Sequence, residues 1–178
     1  MKKFFCLTLI ATGICGALFA QNDYKKSIGV RIAPDSYYDV FAFSYKTFLN
    51  DAGAIELNAG IGNKARYITD NFVTDKYHPF AISISAGYQY HFNIPVDGLR
   101  WFVGGGLTGY HNFASNGNVN GLGFGFYPTG GVEWKIPAIP LVVGADYRPT
   151  IFFSRPDNYD SFYAGNFGIS ARYTFGGQ

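Results

Sequence analysis

Cysteine is nearly absent from this 178-residue chain, and its two cysteines, Cys6 and Cys15, both lie near the N-terminus. The rest of the chain therefore has no thiol for a disulfide bond or a thiolate metal site. A chain of this composition needs another source of stability. A closed ladder of backbone hydrogen bonds is one such source.

Long apolar runs are also lacking, except at the N-terminus. Two lysines precede an apolar stretch from Phe4 to Ala20, which is the pattern of a secretory signal peptide. We predict cleavage between Ala20 and Gln21, with the bond after Ala17 as the alternative, so that residues 21–178 form one domain. No later segment has the roughly 18 consecutive apolar residues of a membrane-spanning helix.

An excess of either charge is missing as well. Removing Lys2 and Lys3 from the 14 basic residues leaves 12, which equals the 12 acidic residues. The chain has no run of like charges, so the sequence predicts no nucleic-acid partner.

The chain instead contains segments in which large apolar residues alternate with small or polar ones. In the last of them, Tyr163, Phe167, Ile169 and Tyr173 share one phase. A period of two predicts β-strands with a different environment on each face. The eight predicted strands are Ser27–Ala33, Tyr37–Phe48, Ala54–Gly62, Phe80–Phe92, Leu99–His111, Gly121–Ile136, Leu141–Phe152 and Tyr163–Phe175.

The connections between these strands differ in length. The second, fourth and sixth are short, whereas the third, fifth and seventh are long polar loops at Asn63–Pro79, Asn112–Asn120 and Ser154–Ser161. The first connection, Pro34–Ser36, is expected to be a short exception. Short turns on one rim and long loops on the other are typical of an outer-membrane β-barrel.

The apolar phase carries aromatic residues close to the short turns. Amphipathic rings favour the headgroup level of a membrane, so these residues are predicted to form an aromatic girdle. The predicted girdle consists of Tyr45, Tyr90, Phe92, Trp101, Trp134, Tyr173 and Phe175.

The polar phase is mostly glycine, serine, threonine and asparagine, whereas a water-facing surface is normally about 25–35% charged. Small residues suit the crowded interior of an eight-stranded barrel. The few charges on this phase nearly balance, and buried charges need partners, so we predict an ion-paired lumen. Its members are Arg31, Lys46, Glu56, Arg100, Glu133, Asp146, Arg148 and Arg172.

These features resemble the small eight-stranded outer-membrane β-barrels of the OmpX and opacity-protein type and the membrane domain of OmpA. The chain is most similar to proteins that consist of an outer membrane protein β-barrel domain. The terminal Tyr173-Thr174-Phe175 resembles the signal read by the barrel-assembly machinery, although Ser170 replaces a favoured glycine and Gly176–Gln178 extends the end. The resemblance implies an all-β, eight-stranded antiparallel transmembrane barrel in the outer membrane.

Residues with catalytic or metal-binding spacing are few. The three histidines, His78, His91 and His111, have no metal-ligand spacing, and no cofactor or metal is predicted. We expect a monomeric, non-enzymatic protein that contacts outer-membrane lipid and lipopolysaccharide. The alternatives are a narrow pore, a lipid-A-modifying enzyme that uses His111, and a soluble lipocalin-like barrel with its apolar face inward.

Overall fold

The computed structural model describes residues 24–63, 66–70, 73–114, 120–156 and 159–176. The predicted signal peptide and its cleavage site lie outside these residues. No helix among the described residues is long and apolar enough to cross a membrane.

All regular structure in the described residues is β-strand. Most strands keep strict alternation between buried and exposed side chains, as in β12, whose residues alternate from Phe167 to Phe175. The strands are β1 (Lys26–Ile32), β2 (Phe41–Phe48), β3 (Gly53–Gly62), β4 (Arg66–Asp70), β5 (Val73–Tyr77), β6 (Phe80–Asn93), β7 (Leu99–Phe113), β8 (Gly121–Ile136), β9 (Leu141–Tyr147), β10 (Thr150–Ser154), β11 (Phe162–Tyr163) and β12 (Phe167–Phe175).

The sheet closes into a barrel of eight antiparallel strands. Hydrogen-bonded neighbours run from β8 through β7, β6, β3, β2, β1 and β12 to β9, and β9 pairs with β8 to complete the ring. β10 continues β9 along the barrel wall, and the short β11 leads into β12. The prediction of an eight-stranded antiparallel barrel is confirmed.

The predicted seventh strand is interrupted by a pair of prolines. Gly130 pairs with Tyr147 and Phe126 pairs with Ile151, so the three intervening residues on each strand place Pro149 opposite Pro128. Neither proline has an N–H group to donate to the ladder. The prediction of one continuous strand over Leu141–Phe152 is therefore wrong at Arg148-Pro149.

The first connection is longer than predicted. β2 begins at Phe41, not at Tyr37, and the β1–β2 connection spans residues 33–40. Tyr37 and Tyr38 were predicted to begin this strand, but they do not alternate: both side chains fold inward and are buried. The first connection is therefore not a short exception, because every connection on this rim is longer than the short turns on the opposite rim. We call the two ends of the barrel the loop-side rim and the turn-side rim.

Two further predictions of loop and strand bounds change. The predicted loop Asn63–Pro79 contains a two-stranded hairpin, in which β4 pairs with β5 from Arg66 opposite Tyr77 to Asp70 opposite Val73. The last predicted strand breaks at residues 164–166, between β11 and β12.

The distribution of side chains is the inverse of that in a water-soluble protein. Large apolar residues on the outer face are strongly exposed, for example Ile84 at 72%, Phe153 at 68% and Leu107 at 63%. The lumen is filled with charged and polar groups, of which Arg31 and Lys46 are 0% exposed. The apolar phase therefore faces outward and the polar phase inward.

Candidate functional site

The candidate site is the barrel lumen, where all eight charged residues named from the sequence are buried. Each is at most 7% exposed, and each has at least one oppositely charged partner within 4 Å. One further carboxylate, Asp39, joins them from the β1–β2 connection. The ion pairs form three linked groups along the barrel.

The group nearest the loop-side rim is centred on Arg31. Its Nη2 lies 2.7 Å from Oδ1 of Asp146, and its Nη1 lies 3.0 Å from Oδ2 of Asp39. Arg31 Nη2 also donates to the side-chain oxygen of Asn166 at 2.9 Å. Burial raises the pKa of Asp39, and the Arg31 guanidinium and the Ser36 hydroxyl act against this rise. One guanidinium thus joins β1 to the β1–β2 connection, to β9 and to the segment before β12.

The middle group connects Asp146 to Glu56 through Arg148. Arg148 Nε lies 2.8 Å from Oδ1 of Asp146, and its Nη2 lies 2.6 Å from Oε1 of Glu56. The amide of Gln89 donates to Glu56 Oε2 at 2.9 Å. Charge-assisted bonds of this length are among the strongest in proteins. Arg148 lies two residues after Asp146 in the same inward phase, and its backbone N–H donates to the backbone oxygen of Asn166 at 2.8 Å.

The group nearest the turn-side rim is centred on Glu133, whose side chain is 0% exposed. Its Oε2 lies 2.8 Å from Lys46 Nζ and 3.4 Å from Arg172 Nη2. Its Oε1 lies 3.6 Å from Arg100 Nη2 and accepts a hydrogen bond from the Tyr24 hydroxyl at 3.0 Å. Glu133 therefore compensates three cationic side chains at once.

Aromatic rings cover the charges at the loop-side rim. Tyr38 stacks on Tyr110 with ring centroids 5.4 Å apart, and Tyr37 packs against both Tyr38 and Tyr110. Phe152 and Tyr159 complete this buried cluster. Burial raises the pKa of the Tyr38 phenol, which accepts a hydrogen bond from the Asn166 amide at 2.8 Å.

A second set of rings covers the turn-side rim. Tyr24 packs edge-on against Phe48 at 5.4 Å, and the Arg100 guanidinium lies over both rings at about 5 Å. His91 packs between Phe48 and Phe102. Burial raises the pKa of Tyr24, and the neighbouring Glu133 carboxylate adds to this rise.

Glycines on β7 and β8 make room for large luminal side chains. A Cβ atom at Gly106 would lie 2.6 Å from the Tyr127 hydroxyl, and one at Gly123 would lie 2.2 Å from the Tyr110 ring. Both distances are below 3.0 Å, so a side chain at either position would force the neighbouring atoms to shift. The Tyr110 and Tyr127 side chains thus occupy the luminal space that these glycines leave.

The seven residues of the predicted girdle all lie on the outer face of the turn-side half. Phe92 stacks on Trp101 with ring centroids 4.2 Å apart, and Tyr90 packs against Phe92 at 4.9 Å. Trp134 donates from Nε1 to the backbone oxygen of Asp97 in the β6–β7 turn at 3.3 Å. Two members, Tyr45 and Phe92, are half-buried, and the other five are exposed: Tyr90, Trp101, Trp134, Tyr173 and Phe175.

The outer face also contains a concave apolar surface of about 670 Å³, here called the outer groove. Small residues form its floor at Ala59, Ala86 and Gly109, and large side chains such as Phe43 and Phe153 surround it. A smaller depression of about 230 Å³ adjoins it and includes His111. The two share Ile84, Gly109 and Phe124.

The three histidines lie in three different surroundings. His78 is in the exposed loop after β5, His91 is in the lumen, and His111 faces outward on β7. Within the described residues, no three His, Cys, Asp or Glu side chains are grouped so as to hold a metal ion.

Sequence reasoning missed four functional positions in the lumen. Asp39 and Asn166 fell inside predicted strands, and Asn166 was on the predicted polar phase, but alternation gave no sign that either contacts Arg31. Tyr24 precedes the first predicted strand. Gln89 was placed on the inner face, but its amide gave no sign of a role. The sequence did contain one signal for Asp39: it is a carboxylate eight residues after Arg31, which was predicted to face inward.

The structure thus defines a closed eight-stranded antiparallel β-barrel with an ion-paired interior and an apolar exterior. A solved structure with this fold is the N-terminal β-barrel domain of OprF from Pseudomonas aeruginosa, with a TM-score of 0.50 and 18% sequence identity over 87% of this chain and 98% of that one. The chain also matches Ail, the attachment invasion locus protein of Yersinia pestis, with a TM-score of 0.45 and 15% identity over 88% of this chain and 100% of that one. No protein-family model and no curated protein sequence matches it. The similarity to the OprF barrel supports the resemblance to small eight-stranded barrels at the level of the fold.

Proposed function

We propose that this chain is an integral outer-membrane β-barrel protein with a structural or surface-interaction role. The observation that carries the proposal is the exposed apolar exterior around a fully polar interior. Soluble monomers rarely expose contiguous apolar patches larger than a few hundred Å². In a bilayer the same surface is favourable, and the closed ladder leaves no strand edge unpaired in the hydrocarbon.

The dimensions of the barrel agree with this role. Strands of about 10 residues with a rise of ~3.3 Å per residue, tilted by ~40°, span roughly 25 Å. This is about the height of the apolar band of outer-membrane barrels. The tryptophans on the turn-side rim then lie at one membrane interface. The loop-side connections, including the β4–β5 hairpin, extend beyond the other interface.

Several further features of the role belong to the same proposal. As expected from the sequence, the chain would be secreted through its N-terminal signal and inserted by the barrel-assembly machinery. It would act as a monomer. Contacts with lipopolysaccharide or another envelope component would be made by the loop-side connections. The filled lumen favours this role over a conducting pore, because the charges that would line a channel are paired with one another.

Tryptophan fluorescence gives a direct test, because the chain has two tryptophans, Trp101 and Trp134, and both lie on the same rim. The mature protein is reconstituted into phosphatidylcholine vesicles that contain lipids brominated at different depths. We expect quenching by shallow brominated lipids, weaker quenching by deep ones, and protection from aqueous iodide. The single variants Trp101→Phe and Trp134→Phe should give the same depth.

Quenching by iodide without quenching by brominated lipid would place the apolar face in water and refute the proposal. Fractionation of cells checks the location independently. The folded protein should be found in the outer membrane and should change its gel mobility when boiled.

A further inference from the structure

The hairpin formed by β10 and β11 is attached to the barrel differently from the other strands. On one side β10 pairs with β8, whereas β11 pairs with β10 alone among the described strands. The chain leaves the ladder at both ends of this hairpin, at residues 148–149 before β10 and at residues 164–166 after β11. We call this hairpin the flap.

The break before β10 contains the two opposed prolines. The backbone N–H of Arg148 points away from β8, because it donates to the backbone oxygen of Asn166 at 2.8 Å. Successive residues of a strand direct their backbone groups to opposite sides, so those of Pro149 point towards Pro128 on β8. Neither proline has an N–H group. This position of the ladder therefore has two carbonyl oxygens and no donor, which makes it a weak point of the wall.

The ladder is short and irregular on the loop side of the prolines. Ile151 lies opposite Phe126, but the register shifts between Phe152 and Ser154. On the turn side of the prolines, β9 pairs with β8 in unbroken register over its whole length. The flap can therefore separate from β8 while β9 stays in the wall.

Side chains hold the other edge of the flap to the β1–β2 connection. The Tyr163 ring lies 4.7 Å from the Tyr37 ring, and the Tyr163 hydroxyl donates to the backbone oxygen of Asp35. From the flap, Phe152 packs against the rings of Tyr37 and Tyr38, each at 5.9 Å. Contacts of this kind separate and form again without breaking a strand ladder.

We propose that the flap is hinged at residues 148–149 and 164–166 and opens the loop-side end of the barrel. Opening breaks the short pairing with β8 and the ring contacts with the β1–β2 connection. It uncovers the buried rings at the loop-side rim and the ion pairs of Arg31 beneath them. The middle and turn-side ion pairs stay in place, so the flap controls access to one end of the lumen and does not create a channel.

Hydrogen–deuterium exchange of the folded barrel in detergent micelles, measured by NMR for single amides, tests the flap. The amides of Phe126 and Ile151 report on the flap, because these residues lie opposite each other where it meets β8. Ala86 and Leu107 form an opposed pair at the same height, because Leu107 also lies opposite Phe126. We expect the flap pair to exchange about tenfold faster than this control pair, because the adjacent proline position lacks both of its hydrogen bonds.

Restoring the missing donor should slow this exchange. Pro149→Val supplies an N–H group opposite the Pro128 carbonyl and should slow the amides of Phe126 and Ile151 about fivefold. Pro137→Val makes the same change in the turn-side connection after β8 and should leave both rates unchanged.

A thiol behind the flap gives an independent test, because residues 21–178 contain no cysteine. Thr150→Cys places a thiol at a fully buried position on β10, and a water-soluble methanethiosulfonate reagent measures how often it is uncovered. Tyr163→Phe removes the hydrogen bond to the β1–β2 connection and should raise the rate of modification about fivefold, whereas Pro149→Val should lower it by a similar factor. Ser27→Cys is equally buried on β1 near the turn-side rim, and its rate should change in neither background.

Equal exchange of the flap pair and the control pair in wild type would show a uniformly closed wall and overturn the proposal. Thr150→Cys modification that neither second change affects would overturn it as well. So would equal changes at Ser27→Cys, because they would indicate general loosening of the barrel. The heat-dependent gel shift establishes that each variant is folded, and the comparison within wild type decides the question even where a variant does not fold.

Discussion

Neutralising Glu133 tests whether the luminal charges behave as a dry, mutually dependent network. Its carboxylate lies 2.8 Å from Lys46, 3.4 Å from Arg172 and 3.6 Å from Arg100, and its side chain is fully buried. Glu133→Gln preserves the shape but removes a carboxylate shared by three cations, which leaves Lys46 and Arg172 with Glu56, 3.4 and 3.7 Å away. Removing one partner of a buried ion pair typically costs about 3–5 kcal/mol. We expect a loss of this size in the free energy of unfolding.

The assay is denaturant unfolding of the purified barrel in detergent micelles, followed by tryptophan fluorescence. Asp97→Asn removes the same charge from the exposed β6–β7 turn and should change the free energy of unfolding by less than about 0.5 kcal/mol. Combining Glu133→Gln with Lys46→Met should cost less than the sum of the two single changes, by about 0.5–3 kcal/mol. A Glu133→Gln variant as stable as Asp97→Asn would refute the reasoning, because it would mean that water screens the lumen.

Three further predictions concern the lumen. Gly168→Ala places a Cβ atom 2.4 Å from the Arg31 guanidinium and should lower the free energy of unfolding by about 1–3 kcal/mol, whereas Gly130→Ala, whose nearest neighbour is 3.8 Å away, should be close to neutral in the same assay. Tyr38→Phe removes two hydrogen bonds at the loop-side rim and should cost about 1–3 kcal/mol, with the heat-dependent gel shift moving to a lower temperature. Wild type in planar bilayers should show no steady ion conductance; stable single-channel steps would contradict the filled lumen.

The sequence was most informative where two faces of a strand meet different surroundings. Period-two alternation predicted β8 with both its bounds, at Gly121 and Ile136, and it separated inward from outward residues along the barrel. This succeeded because a slip of one residue would exchange the two faces of a strand. The cost of that exchange forces a strict pattern on the sequence.

Alternation failed for residues that lie beside a strand but do not pair in its ladder. Tyr37 and Tyr38 read as the start of β2, yet they fold into the barrel, because their rings fill the loop-side end of the lumen. Pro149 was included in a strand because alternation does not take account of the missing donor. These errors reflect contacts between distant parts of the chain, which a local pattern does not contain.

Partner choice in the lumen was also beyond the sequence. Alternation placed Arg31 and Asp146 on the inner face, but it gave no reason why these two should meet across 115 positions. Asp39 enters the network from a connection whose path depends on the packing of neighbouring rings. Geometry set by the closed sheet therefore decides the pairing.

Closure of the ring has a consequence for the order of assembly. Arg31 on β1 meets Asp146 on β9 only after β12 has paired between these two strands. Contacts so distant in sequence form late and slowly, because the intervening chain must first be ordered. Before that pairing, the Arg31 guanidinium would lack its bond to Asp146. In the proposed membrane location, barrel closure and neutralisation of this charge would therefore accompany insertion, and the pairing of β12 would complete all three.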